Sequence, residues 1–164
     1  MRILVFSDSH SYLELMRQCM EIIGPDCVIH LGDYMEDGRT IAREYPQTPF
    51  YQVPGNCDAY REPAELPQIL QVTIGGVKLY LTHGHRHHVK LFTELLLADA
   101  RRAGADAVLY GHTHMAECTR ERDGLWVLNP GSCGTGGSVG LMEIENGKIL
   151  SCRILGRKEL EQWQ

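Results

Sequence analysis

The chain has no apolar run long enough to cross a membrane. Its first strand-like stretch, Ile3 to Phe6, meets Ser7 and Asp8 at once, far short of a bilayer span or the core of a signal peptide, so the reading is a cytoplasmic protein with no membrane partner. Positive charge is also scarce. Lys and Arg total 16 against 21 Asp and Glu, a net charge of −5, which excludes a protein that grips nucleic acid along its length. One local site can still oppose the global sign, so a charged small molecule remains admissible. The six cysteines, Cys19, Cys27, Cys57, Cys118, Cys133 and Cys152, form no C-x-x-C pair and no zinc-ribbon spacing. They read as free thiols, mostly packed in the core. There is no repeat of fixed period, no linker, no G-x-x-x-x-G-K-[ST] phosphate loop and no aromatic platform for stacking bases. What is there is ordinary: 164 residues with 43% apolar and 23% charged side chains. Disorder, collagen and coiled coil are excluded, and one domain over 1–164 is expected.

Short runs of β-branched and aliphatic residues predict strands at Ile3–Phe6, Cys27–Leu31, Phe50–Val53, Ile69–Ile74, Val77–Leu81, Ala107–Tyr110, Leu125–Leu128, Leu141–Ile144 and Ile149–Ile154. Helical spacing is clearest at Leu13, Met16, Met20 and Ile23, and again from Phe92 through Leu95, Leu96 and Ala100 to Ala103, closed by Gly104. Gly75-Gly76, Asp123-Gly124 and Asn146-Gly147 are hairpin turns. The expected fold class is α/β: parallel βα units in the first half, antiparallel strands in the last third, and two sheets with helices outside.

Polar groups follow five strands immediately: Asp8-Ser9-His10, Gly32-Asp33, Gly55-Asn56-Cys57-Asp58, His83-Gly84-His85 and Gly111-His112-Thr113-His114. The intervals from Asp8 through Asp33, Asn56, His83 and His112 are 25, 23, 27 and 29 residues, about one strand and its return each. In open α/β sheets the carboxyl ends of strands form the crevice that holds ligands, so loops far apart in sequence can converge there. Of eight histidines only His30 lies inside a predicted strand. Carboxylate, imidazole and amide suit borderline divalent metals. Seven such groups exceed the needs of one ion and match two ions sharing a carboxylate, the arrangement that clamps the oxygens of a phosphoryl group.

Taken in order, these five motifs resemble the signature of the calcineurin-like metallophosphoesterases over roughly residues 1 to 135. The short chain, Cys57 after Asn56, and Asn129-Pro130-Gly131-Ser132 make it similar to the small YfcE-type phosphodiesterases of that family. The resemblance implies a four-layer αββα sandwich, two mixed β-sheets flanked by helices. It also implies a binuclear centre: Asp8, His10 and His114 on one metal, Asn56, His83 and His112 on the other, and Asp33 between them. Mn²⁺ is the expected ion, with Ni²⁺, Co²⁺, Fe²⁺, Zn²⁺ or Mg²⁺ as alternatives. A water between the metals would attack a small phosphodiester directly, with no covalent enzyme intermediate. His85 and Asp58 are the further catalytic candidates. His85 either donates to a phosphate oxygen or supports the metal ligands, and Asp58 follows the position where many relatives carry a proton-donating histidine. Here that position is Cys57, a poor acid, so good leaving groups should be favoured.

Other readings stand beside these. Asp8 and Asp33 in isolation would be caps or turn formers, Asn56 a Gly-Asn turn residue, and Asp58 a turn acid. His30 reads as a satisfied interior histidine. Arg86, His87 and His88 read as a solvated face, Cys57 as an inert buried thiol, Gly131-Ser132 as a loop lining the cleft, and Trp126 and Trp163 as packing residues. Two other classes compete with the hydrolase. One is a protein-interaction scaffold of the same fold, as in a retromer subunit, which loss of a ligand would mark. The other is a metal-dependent hydrolase of carbon–nitrogen bonds, which needs a barrel of about 250 residues. Homo-oligomerisation is left open.

Overall fold

The computed structural model describes residues 1–63 and 65–163. The chain runs β1 (Arg2–Phe6), α1 (Leu13–Ile23), β2 (Cys27–His30), α2 (Met35–Glu44), β3 (Phe50–Gln52), β4 (Ile69–Ile74), β5 (Val77–Thr82) and α3 (Glu94–Arg102). It continues through β6 (Ala107–Leu109), β7 (Glu117–Arg120), β8 (Trp126–Asn129), β9 (Ser138–Glu145), β10 (Lys148–Gly156) and α4 (Arg157–Glu161). Two five-stranded sheets result, ordered β10-β9-β1-β2-β3 and β4-β5-β6-β8-β7. Both are mixed: β1, β2 and β3 run parallel and β9 antiparallel to β1, while β5, β6 and β8 run parallel between antiparallel β4 and β7.

The period of two along β1 explains the layering. Ile3 and Val5 point between the sheets, where they meet Ile29, Leu79, Leu81, Leu109, Leu128 and Met142. Leu4 and Phe6 point the other way, onto Leu15, Met16, Cys19 and Met20 of α1 and Leu160 of α4. On the outer face of the second sheet Leu96 and Ala100 of α3 cover Tyr80, Val108 and Val127. The central strands of each sheet are thus buried on both faces, as parallel strands require, and the layers are helix, sheet, sheet, helix.

The three hairpins form where the turns predict them, with Gly75-Gly76 and Asn146-Gly147 at positive φ in both residues of each pair. Four details differ from the expectation. The last third is not wholly antiparallel, because β8 lies parallel to β6, and β7 forms from Glu117–Arg120, a stretch too polar to read as a strand. The helix α3 starts at Glu94 rather than Phe92, leaving Phe92 42% and Leu95 50% exposed. A short helix occupies the polar tail, and Arg153 lies over the ring of Trp163 at 4.8 Å. Of the cysteines, Cys19, Cys27 and Cys133 are buried and Cys118 and Cys152 half-buried, but Cys57 is exposed. Among the described residues no helix is long and apolar enough to cross a membrane.

Candidate metal centre

Every candidate ligand stands at the carboxyl end of a strand or on the turn beyond it: Asp8 and His10 after β1, Asp33 after β2, Asn56 after β3, His83 after β5, His112 and His114 after β6. Five of them, Asp8, His10, Asp33, His112 and His114, hold left-handed backbone with φ between 46° and 69°. Non-glycine residues rarely adopt that conformation, and such strain gathers at functional sites. Two glycines permit the turns to converge. A Cβ on Gly55 would fall on the amide nitrogen and Oδ1 of Asp33, and one on Gly111 would fall on the Ser7 hydroxyl. Only hydrogen fits, so the β3 and β6 turns press against the β2 and β1 turns.

The ligand atoms meet in two groups, Asp8, His10 and His114 and then Asp8, Asp33 and His83, each with its atoms within 4.8 Å of one another. His83 Nε2 lies 3.5 Å from Asp33 Oδ1 and 3.2 Å from Asn56 Oδ1. The His112 ring centroid is 5.0 Å from that of His83. His83 Nδ1 is 2.7 Å from the Leu31 carbonyl, which accepts its proton and leaves the Nε2 lone pair facing the site, the tautomer a metal needs. The outer Asp8 oxygen, Oδ2, accepts from Ser7 Oγ at 2.5 Å and from the His112 amide at 3.1 Å. Its Oδ1 approaches His114 Nε2 to 3.0 Å without the alignment of a hydrogen bond.

Whether divalent ions suit this cluster is tested by its unpaired atoms. Asp8 Oδ1, His10 Nε2 and His85 Nδ1 are all buried with no hydrogen-bond partner. Buried polar atoms are almost always satisfied; Asp8 and His10 belong to one group of ligand atoms within 4.8 Å, and their two orphaned atoms are electron-pair donors of the kind a dication takes. The electrostatics agree. Burial first, then His83, lowers the His112 imidazole to about 4; burial, His83 and Arg86 lower His85 to about 4. Both rings are neutral at neutral pH. Burial opposes ionisation of Asp33, but His83, the amide and thiol of Cys57, and His10 hold its carboxyl below the usual range. Although Cys57 is exposed at the surface, partial desolvation of its sulfur against the turn and the neighbouring Asp33 carboxylate push the thiol up to about 11, so it stays protonated.

Asp58 faces away from this chemistry. Its Oδ1 accepts from the amides of Tyr34 (2.9 Å) and Met35 (3.0 Å) at the start of α2, and its Oδ2 from the amide of Gly55 (2.8 Å). The carboxylate ties the β2 turn to the β3 turn and complements the positive helix end. His85 is half-buried with its ring 6.1 Å from that of His112, bordering the cluster. His87 is not on a solvated face: it is 6% exposed, with Nε2 3.3 Å from Asp99. Arg86 and His88 are exposed as expected. Ser132 is wholly buried and donates to the Asp8 carbonyl at 2.8 Å, which fixes the β1 turn.

Three residues support the turns; His30 is the satisfied interior histidine the sequence predicts, while the roles of Ser9 and Asn129 were not read there. His30 is fully buried; its Nδ1 accepts from the Gly32 amide and its Nε2 lies 3.1 Å from Ser9 Oγ. Ser9 in turn donates to Asp37 at 2.7 Å, locking the β1 turn onto α2. Asn129 donates to the Gly111 carbonyl and to Thr113 Oγ1, holding the turn that carries His112 and His114. Because burial lowers His30 to about 4, the unfolded chain binds a proton near pH 6.5 that the folded chain refuses. Stability should therefore fall as pH drops from about 6.5 toward 4, by up to roughly 3 kcal/mol from this group. Melting temperatures across that window should fall less steeply in His30→Gln; equal slopes would show that His30 titrates normally.

Comparison with known proteins places this geometry. A family model described as the calcineurin-like phosphoesterase superfamily domain matches residues 1–147. A probable metallophosphoesterase of Mycoplasma pneumoniae is 33% identical over 134 residues, covering 80% of this chain and 78% of that one. A phosphodiesterase of Methanocaldococcus jannaschii is 30% identical over 148 residues, covering 81% and 84%. Among solved structures, a predicted phosphoesterase of Streptococcus pneumoniae superposes with a TM-score of 0.75 at 26% identity, covering 96% of this chain and 90% of that one. Vps29 of Entamoeba histolytica shares the fold with a TM-score of 0.65 at 23% identity, covering 94% and 98%. The matched region contains every strand-end turn of the cluster, and the chain belongs to the calcineurin-like phosphoesterase superfamily.

Proposed function

We propose that the chain is a metal-dependent phosphodiesterase. Asp8, His10 and His114 would hold one divalent cation, Asn56, His83 and His112 a second, with Asp33 shared between them. The observation that carries this reading is the convergence of unpaired, buried ligand atoms on Asp8 and His10 beside the Asp33 and His83 pair. When bound, two such ions supply Lewis acidity to the phosphoryl oxygens and make water acidic enough to attack at neutral pH. The chain's own residues orient that chemistry. Ser7 and the His112 amide turn Asp8 Oδ1 inward, the Leu31 carbonyl sets the His83 tautomer, and the Cys57 amide anchors Asp33 Oδ1 at 2.8 Å. His85, neutral and bordering the cluster, is placed to hydrogen-bond a phosphoryl oxygen rather than to deliver a full proton. With Cys57 after Asn56 no imidazolium is present there, and a thiol is a poor acid, so the leaving oxygen would depart largely as an anion. Asp58 acts through Asp33 and Asn56 by fixing their turns.

Bis(p-nitrophenyl) phosphate is the substrate of choice for the test, because p-nitrophenolate needs no proton to leave. Exhaustive chelation should abolish its hydrolysis, and Mn²⁺ should restore it with two ions per chain by elemental analysis. Full turnover by metal-free protein would overturn the mechanism. The same-fold scaffold, to which the likeness to Vps29 points, would show no turnover with or without metal; bound metal alone does not separate the two, since Vps29 of Entamoeba histolytica was solved with Zn²⁺.

A further inference from the structure

Thr113, the residue between His112 and His114, lines a groove of about 510 Å³ whose walls include Val89, Leu91, Phe92 and Met115. The size falls within the roughly 300–1,000 Å³ of small-molecule sites. Scattered exposed apolar residues are normal, but here they gather: Leu91 is 80%, Met115 75% and Phe92 42% exposed. The sequence periodicity placed Phe92 on the buried face of α3; the later helix start frees it for the groove instead.

Each wall is tied to a ligand-bearing turn. Val89 packs so closely under Gly84, whose φ is +97°, that a Cβ there would lie 2.9 Å from Val89 Cγ2. On the other side Thr113 sits between His112 and His114, its hydroxyl accepting from Asn129 at 2.9 Å and from the Met115 amide at 3.2 Å. At the floor the Tyr110 hydroxyl donates to Glu117 at 2.7 Å. The lining holds no Lys, Arg or His, and its charges are the carboxylates of Glu94 and Glu117. A second phosphate would be repelled there, whereas a neutral apolar group would bury wall surface without desolvating a charge.

We propose that this groove seats a neutral aryl or alkyl arm of the substrate, so that the preferred esters carry one apolar substituent rather than a polyphosphate. This rests on the phosphodiesterase reading for its chemistry, but binding can be measured apart from turnover. Alkylphosphonates from methyl to hexyl are titrated calorimetrically into the Mg²⁺-loaded protein, and the Met115 methyl resonance is followed in parallel. Affinity should rise up to about fourfold per added methylene until the groove is filled, with the Met115 methyl shifting. Leu91→Ser and Met115→Ser, both at exposed positions that cannot unseat the core, should flatten the series. Affinity independent of chain length, no binding, or a still Met115 signal would overturn the proposal. So would a dimer in sedimentation that Leu91→Ser dissociates, since the groove would then be an interface between copies. Diester hydrolysis with length-independent binding sinks the groove alone; length-dependent binding without hydrolysis sinks the diesterase alone.

Discussion

Asp33→Asn should lose at least about 100-fold in diester turnover and bind fewer than two ions per chain, while its melting temperature changes little. The substitution keeps the size of the side chain and an oxygen to accept from the Cys57 amide, but removes the negative charge that would hold two dications together. Changing a residue that merely orients a metal ligand costs about 10- to 100-fold, so a shared ligand should meet or exceed the upper end. Asp58→Ala should show the reverse emphasis. It strands three backbone amides, those of Tyr34, Met35 and Gly55, and buried unsatisfied groups cost about 1–3 kcal/mol each. The melting temperature should drop first, with activity falling through displacement of the Asp33 and Asn56 turns. Parent-like metal content and turnover in Asp33→Asn would remove the centre of the ligand assignment.

Gly55→Ala should be nearly as damaging, although it adds a single methyl group and leaves every ligand side chain unchanged. That methyl would lie 2.1 Å from Asp33 Oδ1 and 2.4 Å from the Asp33 amide nitrogen, and backbone cannot swing aside as a flexible side chain can. One turn must move. Overpacking of this kind costs about 1–3 kcal/mol, and a displacement near 1 Å at a reacting centre costs about 100-fold in rate. The expected variant is folded, slightly destabilised, and poor in both metal retention and turnover. A crystal structure with Asp33 unmoved and full activity would show that the two turns have more slack than their packing indicates.

These consequences divide between what could be read along the chain and what could not. The five polar turns were legible because each follows its strand at once, and a strand end has little freedom about where its next residues point. That also made the ligand types readable. Roles within the turns were less accessible. Asp58 looks equivalent to Asp33 in sequence, since both are acids in a Gly-led turn, but one carboxylate faces the cluster and the other caps α2. The difference lies in which backbone amides surround each group, and apart from the Gly55 amide on Asp58 those come from residues more than 20 positions away. His87 was misread for a related reason: its partners Tyr80 and Asp99 belong to different elements, β5 and α3.

By itself the amino-acid order determined the strands of the core, the hairpin turns and the polar turns at the strand ends, because apolar period and turn chemistry are local properties. Tertiary structure alone decided that β8 lies parallel to β6, that polar β7 pairs at the sheet edge, and that Phe92 leaves its helix to line a groove with Val89, Leu91 and Met115. Short apolar runs such as Ala107–Leu109 and Trp126–Asn129 can pair in either direction, and which pairing forms depends on the burial gained by both sheets together. The same long-range packing set the Asp8, His10 and His114 atoms within reach of one another, although more than 100 residues of chain separate the first from the last.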